Sequence, residues 1–351
     1  MRRNQGIKGP RDQGSGPRIL DSSIPRILPL GLTCGDPAGV GPEIILKALE
    51  KLPRLRPRII GPRAVFEREQ KRLGTKVDLD LVDDSVEKPG RYAYGIPQAV
   101  CGSTAFLALE MGVYRLLHGH ISALVTAPVS KEALRLAGFR WPGQTEFLAE
   151  RLHANHYAML AWTPRFKAVM VTIHLPLAYT TRHITPDTVA DKTRLLDEFL
   201  RREGRKRPRI GVLAFNPHAY EFSRGEESWI AQGVAIARKA GIDAHGPLCA
   251  DGTLANLHRS AGLSFGLRTS SLPFDGYVAM YHDQAMIPAK LLAGGKGVNV
   301  TLGLGHIRTS PLHGVAFDIA GKGIASADSM LAAIRLAQRL ARNAPVAGSA
   351  R

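Results

Sequence analysis

Apolar runs that stop at Gly, Pro or Asn alternate with stretches of helical periodicity along most of this chain. ILPLGLTCG is followed by PEIILKALEKL, ISALVTAPVS by KEALRLAG, and PRIGVLAFNPH by EESWIAQGVAIARKAG. A bounded apolar run has the length of a strand, and apolar residues three and four apart form one face of a helix, so each pair reads as a strand feeding a helix. RPRIIG, KAVMVTIHLPL and FDGYVAMYHDQ add strand patterns, and ADSMLAAIRLAQRLAR reads as a final amphipathic helix. Strands joined through helices pair in parallel, and a parallel sheet needs helices on its faces. The expected fold is therefore α/β with a largely parallel sheet.

Size and composition agree with that reading. The chain has 351 residues, 44% of them hydrophobic and 22% charged, which supports one large or two ordinary domains with real cores. Cys34, Cys101 and Cys249 are odd in number and far apart with no CxxC, so neither a disulfide framework nor a thiolate zinc site is indicated, and a reducing cytoplasm fits. No apolar run approaches membrane-spanning length, and Arg2 and Arg3 are followed by no signal-peptide core. Residues 1–27 are polar and rich in Gly and Arg, and read as a disordered basic tail. The folded part is expected over 28–351.

The formal charge of +17 raises nucleic acid as a partner. The tail holds +4 of it, and the rest is scattered apart from the cluster RREGRKRPR at 201–209, which lacks interleaved aromatics. A solvated surface explains that pattern better than a nucleic-acid site, and an anionic small substrate would exploit the same field.

Ligands of open α/β sheets bind beyond the carboxyl ends of strands. Three histidines share that context: His174 after AVMVT, His218 after IGVLAF, and His282 after GYVAM. One histidine there is usually a core or capping residue; three in the same register are harder to dismiss, because neutral imidazoles suit zinc, cobalt, nickel or iron(II), and three of them with an open position, were they to converge, would be the arrangement of a catalytic metal. The stretch GDPAGVGPE (35–43) reads as a glycine turn with Pro42 at a helix start and Glu43 in its first turn. It is not GxGxxG, and its glycines permit close backbone approach.

GDPAGVGPE, TAPVSKEAL, PGQTEFLAE, TIHLPL, FNPHA, YHDQ with Lys290, GVNVTLGLGHIRTS and HGVAFDIAGKG stand in the order found in the 4-hydroxythreonine-4-phosphate dehydrogenase family of pyridoxal phosphate biosynthesis, which this chain resembles over residues 28–343. The resemblance implies the two-lobed isocitrate/isopropylmalate dehydrogenase-like fold with a central cleft. It also implies a homodimer with its active site at the subunit interface, and a divalent metal (zinc, magnesium or cobalt) on His174, His218 and His282. Substrate contacts fall on Gln144, Thr145, Lys290, Asn299 and Arg308, on a phosphorylated small molecule. LHGVAFDIAGKGIA (312–325) looks like the adenosine loop of the wider superfamily, which places His313, Gly314 and Ala316 on the adenine side and Asp318 at the ribose. An acidic residue there repels a 2′-phosphate, so NAD is expected, with NADP the alternative.

The reaction so implied is oxidation of 4-phosphooxy-L-threonine followed by loss of CO2. Lys290, Asp251 and Asp283 are the candidate catalytic residues, the two carboxylates as orienters of metal ligands. Gln144 stands where the family usually has His, and Tyr220 stands in NPHAYE where a glycine is common. Those departures keep open a paralogous dehydrogenase of 4-phosphoerythronate or of a cyclic dihydrodiol. A nucleic-acid-binding protein on the same fold is the remote alternative.

Overall fold

The computed structural model describes residues 28–255, 257 and 274–343. The tail expected over 1–27 lies outside the described residues. Eleven strands form one sheet in the order β3-β2-β1-β4-β11-β10-β5-β6-β9-β7-β8. In chain order they are β1 Leu30–Thr33, β2 Arg58–Ile60, β3 Val82–Asp83, β4 Ala123–Thr126, β5 Ala158–Trp162, β6 Lys167–Met170, β7 Arg209–Leu213, β8 Asp243–Leu248, β9 Gly276–Ala279, β10 Val298–Leu302 and β11 Arg308–Pro311. The helices are α1 Gly41–Glu50, α2 Arg63–Leu73, α3 Ala99–Leu117, α4 Lys131–Leu136, α5 Gln144–Arg151, α6 Leu177–Thr180, α7 Pro186–Arg202, α8 Glu226–Lys239, α9 Ala250–Ala255, α10 His282–Ala293 and α11 Asp328–Arg342.

The sheet is mostly parallel, as the alternation of strand and helix patterns requires, but its centre is not. The pairings β11 with β10, β10 with β5, and β5 with β6 are antiparallel. Three reversals in a row mean that β6, β9, β7 and β8 run opposite to β1, β2, β3, β4 and β11. The carboxyl ends of the two parallel halves therefore face opposite edges of the sheet. Ligand groups after β4 and after β6 cannot share a single carboxyl edge; they meet over the face of the antiparallel centre instead.

The inner strands β1, β4 and β9 are buried along their whole length, which matches apolar runs without alternation, while the edge strands β3 and β8 are largely half-buried. Helices cover the faces. α7, started by a Thr185–Thr188 capping box with Pro186 in its first turn, buries Val189, Leu196 and Leu200, and α11 buries Met330, Ile334 and Ala337. Contrary to the sequence expectation, α3 is long and apolar enough by composition to cross a membrane. Its apolar content is accounted for by a buried face of Ala105, Leu109 and Val113 and by Gly102, where a Cβ would collide with the backbone of Ala133.

The glycine turn after β1 is packed, with one uncompensated charge inside it. Asp36 is fully buried; its Oδ1 accepts from the Ala38 amide at 2.9 Å while its Oδ2 has no partner. Burial pushes its carboxyl up to about 6, against the bond from the Ala38 amide. A carboxyl raised in the fold binds its proton more tightly there than in the unfolded chain. Its contribution is fully present below pH 4 and is lost as pH rises through about 6. Asp36→Asn is thus expected to stabilise the protein at pH 7.5 by up to about 3 kcal/mol and to change little at pH 4. Thermal melts at both pH values check this; an equal change at both would contradict the buried-charge account.

Candidate active site

A pocket of about 240 Å³ lies over the antiparallel centre of the sheet. Paired residues of neighbouring strands share a face, and the register pairs Asn299 with Ser310 and Thr301 with Arg308 and Met159. Asn299, Ser310, Arg308 and Met159 all line the pocket. Gln144, Thr145 and Glu146 enter it from the first turn of α5, His174 from the segment after β6, and His282 as the first residue of α10. His313 and Gly314 close the end beyond β11.

Arg308 dominates the electrostatics. It is 2% exposed, and its Nη1 donates to Thr301 Oγ1 at 3.0 Å while Nη2 donates to Thr126 Oγ1 at 2.8 Å and to Gln144 Oε1 at 3.3 Å. Its Nε has no hydrogen-bond partner, and among the described residues no carboxylate forms an ion pair with it. Burial lowers the guanidinium to about 10, with Glu146 a smaller opposing influence. A buried cation held only by neutral acceptors is a site that an anion would complete. The N-terminus of α5 adds unpaired backbone N–H groups on the same side. Gln144 turns its carbonyl to Arg308, which leaves its amide NH2 to donate into the pocket.

His174 and His282 have ring centroids 6.1 Å apart. With metal–nitrogen bonds of about 2.0–2.1 Å, two imidazoles at that spacing can share one ion. Each has a carboxylate beside it: His282 Nδ1 is 2.7 Å from Asp283 Oδ1, and His174 Nδ1 is 3.7 Å from Glu146 Oε1. Such partners fix ring orientation and tautomer in metal sites. His174 holds the Glu146 carboxyl below its ordinary range. The third expected ligand is elsewhere. His218, at φ +53, contacts Phe222 with centroids 6.0 Å apart and does not line this pocket. Among the described residues no three His, Cys, Asp or Glu side chains of one chain are placed to hold a metal.

The remaining sequence-derived candidates divide in the same way. Lys290 is on the exposed side of α10, near Ile287 and Leu291, and does not line the pocket. Asp251 is exposed on α9, its carboxyl lowered chiefly by the Cys249 thiol that donates to it at 2.8 Å, with His218 among the nearby charges. Asp318 is exposed and Ala316 takes a left-handed φ of +46 within the 313–323 loop. Lys131, Glu146 and Ser310 line the pocket and were not singled out from the sequence, although each stands inside or beside a quoted motif. The signal was there for Glu146: it follows Gln144 and Thr145 on one helical turn.

The class these features define is an α/β protein whose pocket, lined by a buried guanidinium and two imidazoles, suits a small anion. Residues 40–337 match the family described as pyridoxal phosphate biosynthetic protein PdxA, and the chain belongs to that family. It is 40% identical over 92% of its length to the 4-hydroxythreonine-4-phosphate dehydrogenase of Geobacter metallireducens, covering 97% of that protein. It is 36% identical over 89% of its length to the D-threonate 4-phosphate dehydrogenase of Salmonella typhimurium, covering 98%. The solved structure of 4-hydroxythreonine-4-phosphate dehydrogenase from Klebsiella pneumoniae superposes with a TM-score of 0.76 at 35% identity, covering 90% of this chain and 99% of that one.

Proposed function

We propose that the chain oxidises 4-phosphooxy-L-threonine with NAD, giving a 3-oxo acid that loses CO2 to yield 3-amino-2-oxopropyl phosphate. The observation that carries this reading is Arg308: a buried guanidinium with no carboxylate partner among the described residues, in a pocket that Lys131, Gln144, Thr145, Asn299 and Ser310 also line. Its planar fork suits a phosphate or carboxylate, and Gln144, Thr145 and the amides of α5 complete the grip. A divalent metal, when bound, supplies Lewis acidity toward the oxygen that loses its proton. His174 and His282 would hold it, their rings oriented by Glu146 and Asp283. Fixed donors at one end of the substrate and imidazoles at the other leave its secondary alcohol between them, toward the His313–Asp318 loop that we assign to NAD. The carbonyl made by oxidation takes up the electrons of the breaking carboxyl bond, and the enolate that results takes a proton from water at the carbon that lost CO2 to give the ketone.

A second copy of the chain completes the site in this reading. The segments that carry His174, His218 and His282 also expose Leu175, Leu177, Tyr220, Phe222, Ile287 and Leu291, between 40% and 80% accessible. Apolar side chains of that size left open around polar ligands mark an interface. A homodimer would cover them, deliver His218 and Lys290 from the partner, and bring the third imidazole to the metal.

The relatives carry two substrate names, so the assay must separate them. NADH formation with 4-phosphooxy-L-threonine is expected to exceed that with D-threonate 4-phosphate and 4-phosphoerythronate in kcat/KM; the reverse order would replace the substrate. Gln144→His should alter turnover of the preferred substrate by less than about tenfold, roughly 1.4 kcal/mol of barrier, because the amide positions without shuttling a proton. A switch of substrate preference in that variant would instead assign discrimination to position 144.

A further inference from the structure

Two motifs some 270 residues apart meet through a buried ion cluster. Glu43 on α1 and Glu69 on α2 are 1% and 2% exposed. Arg72 Nη2 donates to Glu43 Oε2 at 2.9 Å and to Glu69 Oε2 at 2.5 Å, and Lys47 Nζ donates to Glu43 Oε1 at 2.8 Å. The remaining bonds of the same groups go to the segment after β11. Lys47 donates to the carbonyls of Gly323 and Ala325 at 2.8 and 2.9 Å, Arg72 to the carbonyl of Gly321 at 3.1 Å, and Glu43 accepts from the amide of Ala325 at 2.9 Å. Tyr94 donates its hydroxyl to Glu69 and lays its ring where a Cβ on Gly321 would stand, 2.8 Å away.

The glycine turn finishes the seat. Val40 donates its amide to the Val315 carbonyl at 3.0 Å, and a Cβ on Gly39 would come within 3.0 Å of the same residue. Gly95 donates to the Ala38 carbonyl at 2.9 Å and packs under the Phe317 carbonyl. The backbone groups held by Val40 and by the ion cluster all belong to 315–325. Burying two carboxylates with two cations is a weak source of net stability, since desolvation offsets most of the attraction. What the cluster delivers is geometry: a left-handed, glycine-broken loop whose inward carbonyls are pinned by cations while its outer side, with His313, Gly314 and Asp318, stays open to solvent.

We propose that Glu43, Lys47, Glu69 and Arg72 are positioning residues for the dinucleotide, holding the 313–325 loop in its binding shape before the cofactor arrives. This rests on the assignment of that loop to NAD. A preformed loop loses less freedom on binding, so releasing it weakens cofactor affinity without touching the Arg308 end of the site. The glycines of GDPAGVGPE then serve loop approach rather than phosphate binding.

The test is NADH binding followed by fluorescence in the absence of substrate, with hydrogen exchange of the 313–325 amides in the ligand-free protein. Arg72→Met and Lys47→Met are expected to raise the NADH Kd at least tenfold and to speed exchange in 313–325 at least tenfold. Binding of the phosphorylated substrate alone should change less than twofold. Tyr94→Phe, which removes one hydroxyl, should weaken NADH about threefold, and it serves if a cluster variant does not fold. Folded variants that bind NADH within error of the unaltered protein would overturn the inference while leaving the cofactor assignment intact. An unaltered protein that binds no NADH would overturn both.

Discussion

Arg308→Met is expected to abolish useful turnover while making the protein more stable. The native guanidinium is buried, bonded only to two threonine hydroxyls and an amide oxygen, and lowered to about 10 from an ordinary value of 12.5. That difference corresponds to a cost on the order of 3 kcal/mol carried by the empty site at neutral pH. The sign follows from linkage: the unfolded chain holds this proton more tightly, so stability rises only as pH passes about 10, and below that the cost is constant. Methionine is of similar length and uncharged, so its melting temperature should rise by several degrees. Losing the partner of a bound phosphate or carboxylate should lower kcat/KM by about 10³, roughly 4 kcal/mol. Arg308→Lys, which keeps the charge but not the fork, should fall between the two in activity. Melting temperature, kcat/KM and NADH affinity together decide the matter. A variant that loses stability, substrate and NADH alike would show Arg308 to be a structural residue.

The other large effect concerns the imidazoles. If three imidazoles hold a divalent ion, as proposed, removing one leaves a site too weak to retain it, so His282→Ala and His174→Ala should each lose bound metal and at least about 10³ in kcat, comparable to exhaustive chelation. His218→Ala is the informative variant. In one chain His218 does not line the pocket that His174 and His282 share. If a second copy delivers it, mixing inactive His218→Ala protein with inactive His282→Ala protein should restore activity, because the mixed dimer contains one site with all three native histidines. Metal analysis of the purified proteins and activity of the mixture measure this. Full metal occupancy in all three single variants would remove the assignment, and a mixture that stays inactive would place the third ligand within the same chain.

Much of the site was legible because its residues sit in long motifs at strand ends and helix starts. Gln144, Thr145, Asn299, Arg308, His174, His282, His313 and Gly314 do converge on one pocket. Lys131 and Ser310 were missed, since nothing in residue type separates a pocket-lining ammonium or hydroxyl from a solvated one, whereas Glu146 could have been found from its place beside Gln144 and Thr145. His218 and Lys290, singled out from the sequence, do not line that pocket. The glycines of GDPAGVGPE were legible as a demand for close approach, but what approaches them is Val315, and no local pattern reaches that far.

The sequence by itself determined the alternation of strands and helices, the buried character of strands such as β1, β4 and β9, and the donor types available for an anion and a metal. Periodicity and capping act over a few residues, so they are readable in the chain. The reversal of direction at β10, β5 and β6 was decided only in the tertiary structure. A buried antiparallel strand such as VNVTL or AMLAW has the same apolar look as a parallel one, and its direction depends on partners distant in the chain. That reversal moved the ligand groups from a strand edge to the face of the sheet. It also left Arg308 without a carboxylate, because the neighbours that surround it there, Thr126, Gln144 and Thr301, come from three separate stretches of chain.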